Sequence, residues 1–207
     1  MAPRREMARL IELVGSGDAD FDAGPMLTVL RTVVPESDAV YVSAPITSGR
    51  RVLDHHREGR SFDRTEIVNE NIHSARDMVD RTRRQYPDKV VIDPTALDDQ
   101  PGWEQHHYHR FWLSVIDEFV AVLVASDQWQ YSTGCTLEVL HALDSGLEVL
   151  DSDFNAIGAS GVRDLLAAAI SDFDSVGMVR PYAPEIERVA SCLARSESRG
   201  FLRPGVR

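Results

Sequence analysis

The chain has 207 residues, of which 43% are hydrophobic and 27% charged, so it can bury a sizeable core and is neither disordered nor fibrous. Its net charge of −11 argues against a broad surface for nucleic acid or an anionic membrane, because such surfaces need clustered Lys and Arg. Its two cysteines form no metal-ligand cluster or CxxC pair, and no apolar amino-terminal segment suggests export. We therefore expect a cytoplasmic protein without a metal ion or other cofactor.

The amino-terminal part has helical patterning. Residues 4–14 are amphipathic, a Gly-rich turn at 15–18 is expected to end this helix, and a second short helical stretch follows at 25–33. We interpret residues 1–36 as a helical extension and residues 37–207 as one α/β domain.

The rest of the chain alternates strands with helices. Strands are predicted at 39–43, 89–93, 119–125, 147–150 and 176–179, and helices at 65–84, 105–116, 133–144, 161–170 and 184–195. The polar stretch 53–63 is expected to be a mobile flap. Such alternation predicts a doubly wound parallel sheet covered by helices on both faces. Ligands of such sheets bind beyond the carboxyl ends of the strands.

The stretch from Tyr131 to Glu138 carries the clearest functional signal. It follows a buried strand and opens a helix with Ser, Thr and Gly, which offer hydroxyls and backbone N–H groups to an anion at the positive end of the helix dipole. Glu138 lies about one turn into this helix. A carboxylate there can also have no other role than a favourable interaction with the helix dipole. The segment alone does not distinguish these two roles.

A second polar loop follows the first strand. Thr47, Ser48, Gly49 and Arg50 offer hydroxyls, backbone N–H groups and a guanidinium. Such loops are common and usually only turns. If the first and third strands are neighbours, however, both loops face one crevice and can hold a phosphate from two sides, with Glu138 facing a sugar.

These residues resemble a known family. The run from Tyr41 to Arg50, the pattern Ser132-x-Gly134-x-x-x-Glu138, and residues 141–146 are similar to the nucleoside 2-deoxyribosyltransferase-like superfamily, and most of all to its nucleoside 5′-monophosphate N-glycosidases of the Rcl and CMP hydrolase types. The resemblance covers residues 39–150, about half of the chain. It implies a flavodoxin-like fold, a nucleotide substrate and, as is typical of the family, a homodimer.

The resemblance also implies roles for individual residues. Glu138 matches the nucleophile and Tyr41 the residue that lies against its carboxylate. The substrate-binding positions that it implies are Ser43, Ala44, Pro45, Ile46, Thr47, Gly49, Arg50, Asp117, Ser132 and Gly134. Serine at position 132 favours a nucleotide, since the relatives that act on unphosphorylated nucleosides usually have an acid there. Trp129, in the loop before Ser132, is the tryptophan that we expect to stack on the base.

One position departs from the family pattern. The family commonly has an Asp eight residues before the position of Asp117, where it helps to protonate the leaving base, and this chain has His109. Imidazole can serve as a general acid near neutral pH, so His109 is the expected acid. Glu104, His106 or His107 are alternatives, or the site has lost full catalysis.

The expected activity is hydrolysis of the N-glycosidic bond of a nucleoside 5′-monophosphate. A carboxylate near the anomeric carbon stabilises an oxocarbenium-like state and can trap it covalently, and an acid near the base helps to expel a poor nitrogen leaving group. One alternative is base exchange by a deoxyribosyltransferase. A different alternative is a non-catalytic nucleotide-binding or sensing module, which the missing Asp and the extra helices favour.

Overall fold

Four strands form one parallel sheet in the computed structural model, which describes residues 2–14, 22–59, 61 and 63–198. The strands are β1 (Ala39–Ser43), β2 (Val91–Ile92), β3 (Val120–Ala125) and β4 (Glu148–Leu150), in the order β2-β1-β3-β4. The helices are α1 (Ala2–Val14), α2 (Gly24–Leu30), α3 (Arg50–Arg57), α4 (Arg64–Gln85), α5 (Gln105–Phe119), α6 (Thr133–Ser145), α7 (Ala159–Ser175) and α8 (Ala183–Ser198). Short 3-10 helices lie at Pro94–Ala96 and Trp129–Tyr131.

The alternation of side chains along β1 and β3 builds the two layers of core. Val40 and Val42 of β1 and Val124 of β3 pack with α4 on one face of the sheet. Tyr41 and Leu123 point to the opposite face, which is covered by residues of α1, α5, α6, α7 and α8. The protein is therefore a single α/β domain with a doubly wound, flavodoxin-like parallel sheet, as the sequence predicts.

Two predicted elements differ from the structure, and a third is not tested. Residues 176–179 form no strand, because Gly177 (φ 69°) turns the chain at the end of α7 and Val179 is 89% exposed. The expected mobile flap is partly helix α3, in which the Arg50–Asp54 ion pair spans one turn and Leu53 is fully buried. The predicted turn at 15–18 lies outside the described residues.

Helix α1 belongs to the same core as the sheet. Met7 and Leu10 are almost fully buried, and Val14 joins them in the main hydrophobic cluster, which also contains Ile186 and Leu193 of α8. The amphipathic spacing of α1 explains this placement, since these side chains share one helix face. The amino-terminal helix is thus packed on the domain through apolar contacts.

Leu10→Ala tests whether this packing stabilises the domain. We expect the free energy of unfolding to fall by about 2–4 kcal/mol, because the substitution leaves a cavity in the core. Leu13→Ala in the same helix is the matched control, since Leu13 is 46% exposed, and should cost under about 1 kcal/mol. Urea denaturation measures both free energies of unfolding. A loss for Leu10→Ala as small as that for Leu13→Ala would show that α1 contributes no core packing.

Candidate active site

The centre of the site is a buried carboxylate. Glu138 on α6 is only 8% exposed, and it accepts hydrogen bonds from Tyr41 Oη (3.0 Å, to Oε1) and Ser43 Oγ (2.6 Å, to Oε2). Tyr41 and Ser43 are two residues apart on β1, so their side chains leave the same face of the sheet. Because β1 and β3 are neighbours, the helix that follows β3 lies over this face. The fold therefore brings the three predicted residues together.

Burial changes the acidity of this carboxylate. Removal from water raises the pKa of Glu138 to about 7, although the hydrogen bonds from Ser43 and Tyr41 lower it. The pKa of Tyr41 rises well above its usual value through burial and the nearby Glu138 charge. Burial also raises the pKa of the Cys135 thiol to about 12, so this cysteine stays protonated.

Hydroxyl groups surround the amino terminus of α6. Ser132 is the N-cap residue of α6, and its Oγ accepts a hydrogen bond from the Cys135 N–H (3.5 Å). The same Oγ also accepts a hydrogen bond from Ser48 Oγ (3.3 Å). The capping role is the ordinary reason for a Ser at this position. Here the cap also faces a cleft, so its hydroxyl and the first N–H groups of α6 can bind an anion.

The loop after β1 is fixed from behind by a buried amide. Asn71 of α4, 4% exposed, donates through Nδ2 to the carbonyl oxygens of Ile46 (3.0 Å) and Ser48 (2.9 Å). Arg51 in turn donates to Asn71 Oδ1. Gly49 has a φ of 118°, a conformation that favours glycine, and an added Cβ would lie 3.1 Å from Pro45 Cβ. The loop conformation is therefore set by packing and hydrogen bonds.

A cleft of about 890 Å³ opens above the carboxylate. Most of the predicted residues line it: Tyr41, Ala44, Ile46, Thr47, His109, Ser132, Gly134 and Glu138. Its wall also includes aromatic side chains that can contact a flat ligand, namely Trp103, Tyr108, Trp112 and Tyr182. The cleft is large enough for a nucleotide-sized molecule.

Arg50 does not line this cleft. Its guanidinium pairs with Asp54 (2.9 Å) and Asp172 (2.7 Å) and donates to Tyr131 Oη (2.6 Å). Arg50 and Pro45 instead line a second cavity of about 330 Å³ on the α4 side. The charge that was expected to hold a phosphate is thus neutralised by two carboxylates in the structure.

Two other predicted residues also lie away from the cleft. Trp129 is 3% exposed and belongs to the main hydrophobic core, so Trp103 and Trp112 are the tryptophans beside the cleft. Asp117 is largely exposed and lies 2.7 Å from His141 Nε2. Sequence position alone did not reveal which way these side chains point.

His109 lies beside the amino terminus of α6. The imidazole packs against Gly134, where an added Cβ would lie 3.4 Å from His109 Nε2. His109 Nε2 also lies 3.2 Å from Gln105 Nε2. Burial and the neighbouring His106 lower the pKa of His109 to about 4, so the imidazole is neutral at pH 7. The role of general acid therefore stays a prediction. Glu104 and His106 also line the cleft, whereas His107 Nδ1 accepts the Glu104 N–H (2.8 Å) at the start of α5.

Comparison of the chain with protein-family models, curated proteins and solved structures returned no match. Within the described ranges, no helix combines the length and apolar character needed to cross a membrane. In the same part of the chain, no group of three or more His, Cys, Asp or Glu side chains is placed to hold a metal ion.

Glu138→Gln tests the burial of the carboxylate. The folded protein binds the Glu138 proton more tightly than the unfolded chain, so stability falls as pH rises from about 4.5 to about 7. The amide removes this cost, and we expect the variant to gain up to about 3 kcal/mol over the unmutated protein at pH 8 and little at pH 4.5. Urea denaturation at both pH values measures the difference.

Glu148→Gln is the matched control, because Glu148 is exposed on β4. Its effect on stability should be small at both pH values. A Glu138→Gln variant that is no more stable at pH 8 than at pH 4.5, relative to the unmutated protein, would contradict a raised pKa.

Proposed function

We propose that this protein hydrolyses the N-glycosidic bond of a nucleoside 5′-monophosphate and releases the free base and (deoxy)ribose 5-phosphate. The observation that carries the proposal is the carboxylate of Glu138, held by Tyr41 and Ser43 next to a helix amino terminus that offers hydroxyls and N–H groups. A carboxylate beside an anion site fits a substrate with a sugar between a phosphate and a base. From the resemblance alone, we further propose that the protein works as a cytoplasmic homodimer.

The ionised carboxylate of Glu138 acts on the anomeric carbon in the proposed reaction. The carbon–nitrogen bond to the base breaks as Glu138 stabilises the oxocarbenium-like state and forms a bond to the anomeric carbon. The base leaves with the electron pair of that bond and takes up a proton. Water then attacks the anomeric carbon and gives up a proton, which balances the one taken up by the base, while the bond to Glu138 breaks and the sugar phosphate leaves. The hydrogen bonds from Tyr41 and Ser43 fix the carboxylate during both steps.

The phosphate of the substrate orients the sugar. Ser48 of the loop after β1 donates to Ser132 at the amino terminus of α6 (Oγ to Oγ, 3.3 Å), and both residues line the cleft, so their hydroxyls and the first N–H groups of α6 can bind one phosphate. Binding energy from this distant group can be used to hold the anomeric carbon against Glu138. The base then lies toward α5, where aromatic and polar side chains line the cleft.

A nucleotide-sensing module is the second candidate. The neutral state of His109 favours it, because a site without a protonated group beside the base lacks help for the leaving nitrogen. A sensor needs no nucleophile, so it would keep its ligand affinity and its function when Glu138 is replaced. Turnover therefore distinguishes the two candidates.

The first test is release of free base from ribo- and deoxyribonucleoside monophosphates and from the matching nucleosides. We expect the unmutated protein to release base from a phosphorylated substrate and Glu138→Ala to lose at least about a thousandfold in kcat, because the nucleophile is gone. Chromatography of the products also detects base exchange when a second base is added. Glu148→Ala is the surface control.

Three outcomes would separate the candidates. Unchanged base release by Glu138→Ala would exclude it as the nucleophile. Faster cleavage of nucleosides than of nucleotides would argue for the deoxyribosyltransferase type of substrate. Nucleotide binding without base release from any substrate would favour the sensor.

The pH dependence provides a further test. Only ionised Glu138 is a nucleophile, so kcat/KM should rise between pH 5 and pH 8 with a midpoint near 7. Ser43→Ala and Tyr41→Phe each remove a hydrogen bond that lowers the pKa of Glu138, so both should move the midpoint to higher pH. The shift should be larger for Ser43→Ala, because the Ser43 hydrogen bond lowers the pKa more than the Tyr41 hydrogen bond does. The substrate phosphate also titrates near pH 6, but neither variant changes its pKa. A midpoint that is the same in all three proteins would show that Glu138 does not set it.

A further inference from the structure

Arg180 is a buried cation that the proposed reaction does not use. It lies between α7 and α8, is 3% exposed, and donates through Nη2 to Thr136 Oγ1 on α6 (2.7 Å). Its Nε and Nη1 atoms are buried and have no hydrogen-bond partner among the described residues. Its guanidinium carbon lies 6.0 Å from the centre of the Phe173 ring.

This guanidinium has no carboxylate partner in the part of the chain that the structure describes. Asp172 on α7 pairs with Arg50 and Arg57 and accepts from Tyr131 instead. Burial lowers the pKa of Arg180 to about 10, so it still carries its charge at neutral pH. A buried charge without a counter-ion is costly, and an anion that binds nearby offsets the cost.

Few positively charged side chains line the cleft among the described residues. Of the residues that the structure describes, its wall includes the acids Asp99, Glu104 and Glu138 and one arginine, Arg64. Arg50, on the other side of the loop after β1, is neutralised by its ion pairs. In a protein with a net charge of −11, a phosphate dianion needs a nearby cation to bind in such a cleft.

Arg180 is placed to supply this charge. It contacts Thr136 in the first turn of α6, and Thr133 and Gly134 of the same turn line the cleft. The guanidinium and the cleft therefore lie on two sides of one helix end, within about 10 Å of each other. Pro181 and Tyr182, which follow Arg180 directly, also line the cleft.

We infer that Arg180 is the counter-charge of the anion site at the amino terminus of α6, and that it makes the cleft select a phosphorylated ligand over a neutral one. The inference builds on the proposed function, because it names the residue that determines the substrate class. Arg180 acts through the field at the end of α6 and touches no reacting atom, so it is a positioning residue. The field of a guanidinium adds to that of the helix dipole.

Calorimetric titration of the full chain with inorganic phosphate, ribose 5-phosphate and ribose tests the inference. Arg180→Met keeps the apolar stem and removes the charge, and it should weaken binding of both phosphates by about tenfold or more. Arg180→Lys keeps the charge and should stay within about threefold of the unmutated protein. Binding of ribose should not differ among the proteins.

Two further variants complete the design. Arg188→Met makes the same change at an exposed position of α8 and should leave phosphate affinity unchanged. Arg180→Gln keeps a donor for Thr136 without the charge, so it replaces Arg180→Met if that variant fails to fold, and the same loss is expected. Because an uncompensated buried charge is removed, the ligand-free Arg180→Gln protein should melt no lower than the unmutated one.

The inference is overturned if Arg180→Met or Arg180→Gln binds phosphate as well as the unmutated protein, or if Arg180→Lys binds as weakly as these variants. It is also overturned if the unmutated protein binds neither phosphate nor ribose 5-phosphate. Base release from nucleotides is measured separately, so a glycosidase that does not depend on Arg180 would remain recognisable. Base release from nucleosides alone would mean that the proposed nucleotide substrate is wrong.

Discussion

The site depends on one arrangement, a carboxylate of α6 held against the side chains of β1 by two hydrogen bonds. It requires β1 and β3 to be adjacent, because only then does the helix after β3 stand over the face that carries Tyr41 and Ser43. Burial of this carboxylate also raises its pKa to about 7. The position of the Glu138 side chain thus depends on the sheet order, the alternation of side chains along β1 and the packing of the core.

Charge is distributed unevenly around this carboxylate. Arg50 is held by Asp54 and Asp172, which ties α3 to α7 and fixes the position of the loop between β1 and α3. Arg180, by contrast, is buried without a carboxylate partner among the described residues. One arginine therefore stabilises the scaffold, while the other keeps its charge for the end of α6.

The sequence was sufficient for the four strands of the sheet and for the loops that follow β1 and β3, whereas the contact of Tyr41 with Glu138 was expected from the family resemblance. Period-two alternation in β1 and the strand-to-helix turn at Ser132 are local signals, and adjacency of β1 and β3 follows from the usual topology of such sheets. The orientation of Trp129 could not be read in this way, because a loop tryptophan can point into the core or out of it.

Other features depend on distant partners. The ion pairs of Arg50 involve Asp172, 122 residues later in the chain, and nothing local marks that contact. Nothing local marks Arg180 either, since its sequence neighbours form no motif and it is buried beside Thr136 of α6 and Phe173 of α7. The helix at 50–57 was not predicted, because it is short and mostly polar and buries one side chain among the described residues, Leu53, so no apolar periodicity marks it.

The packing of α1 against α8 also determines when the cleft becomes complete. Leu13 and Val14 line the cleft near one end of the described chain, and Pro181 and Tyr182 near the other. Tyr41, Ser43 and Glu138 can meet once β3 and α6 are in place, but these walls need contacts between residues more than 160 positions apart. During synthesis the carboxylate would therefore be assembled before its enclosure, and the cleft would close only when α8 packs against α1, which precedes it in the chain.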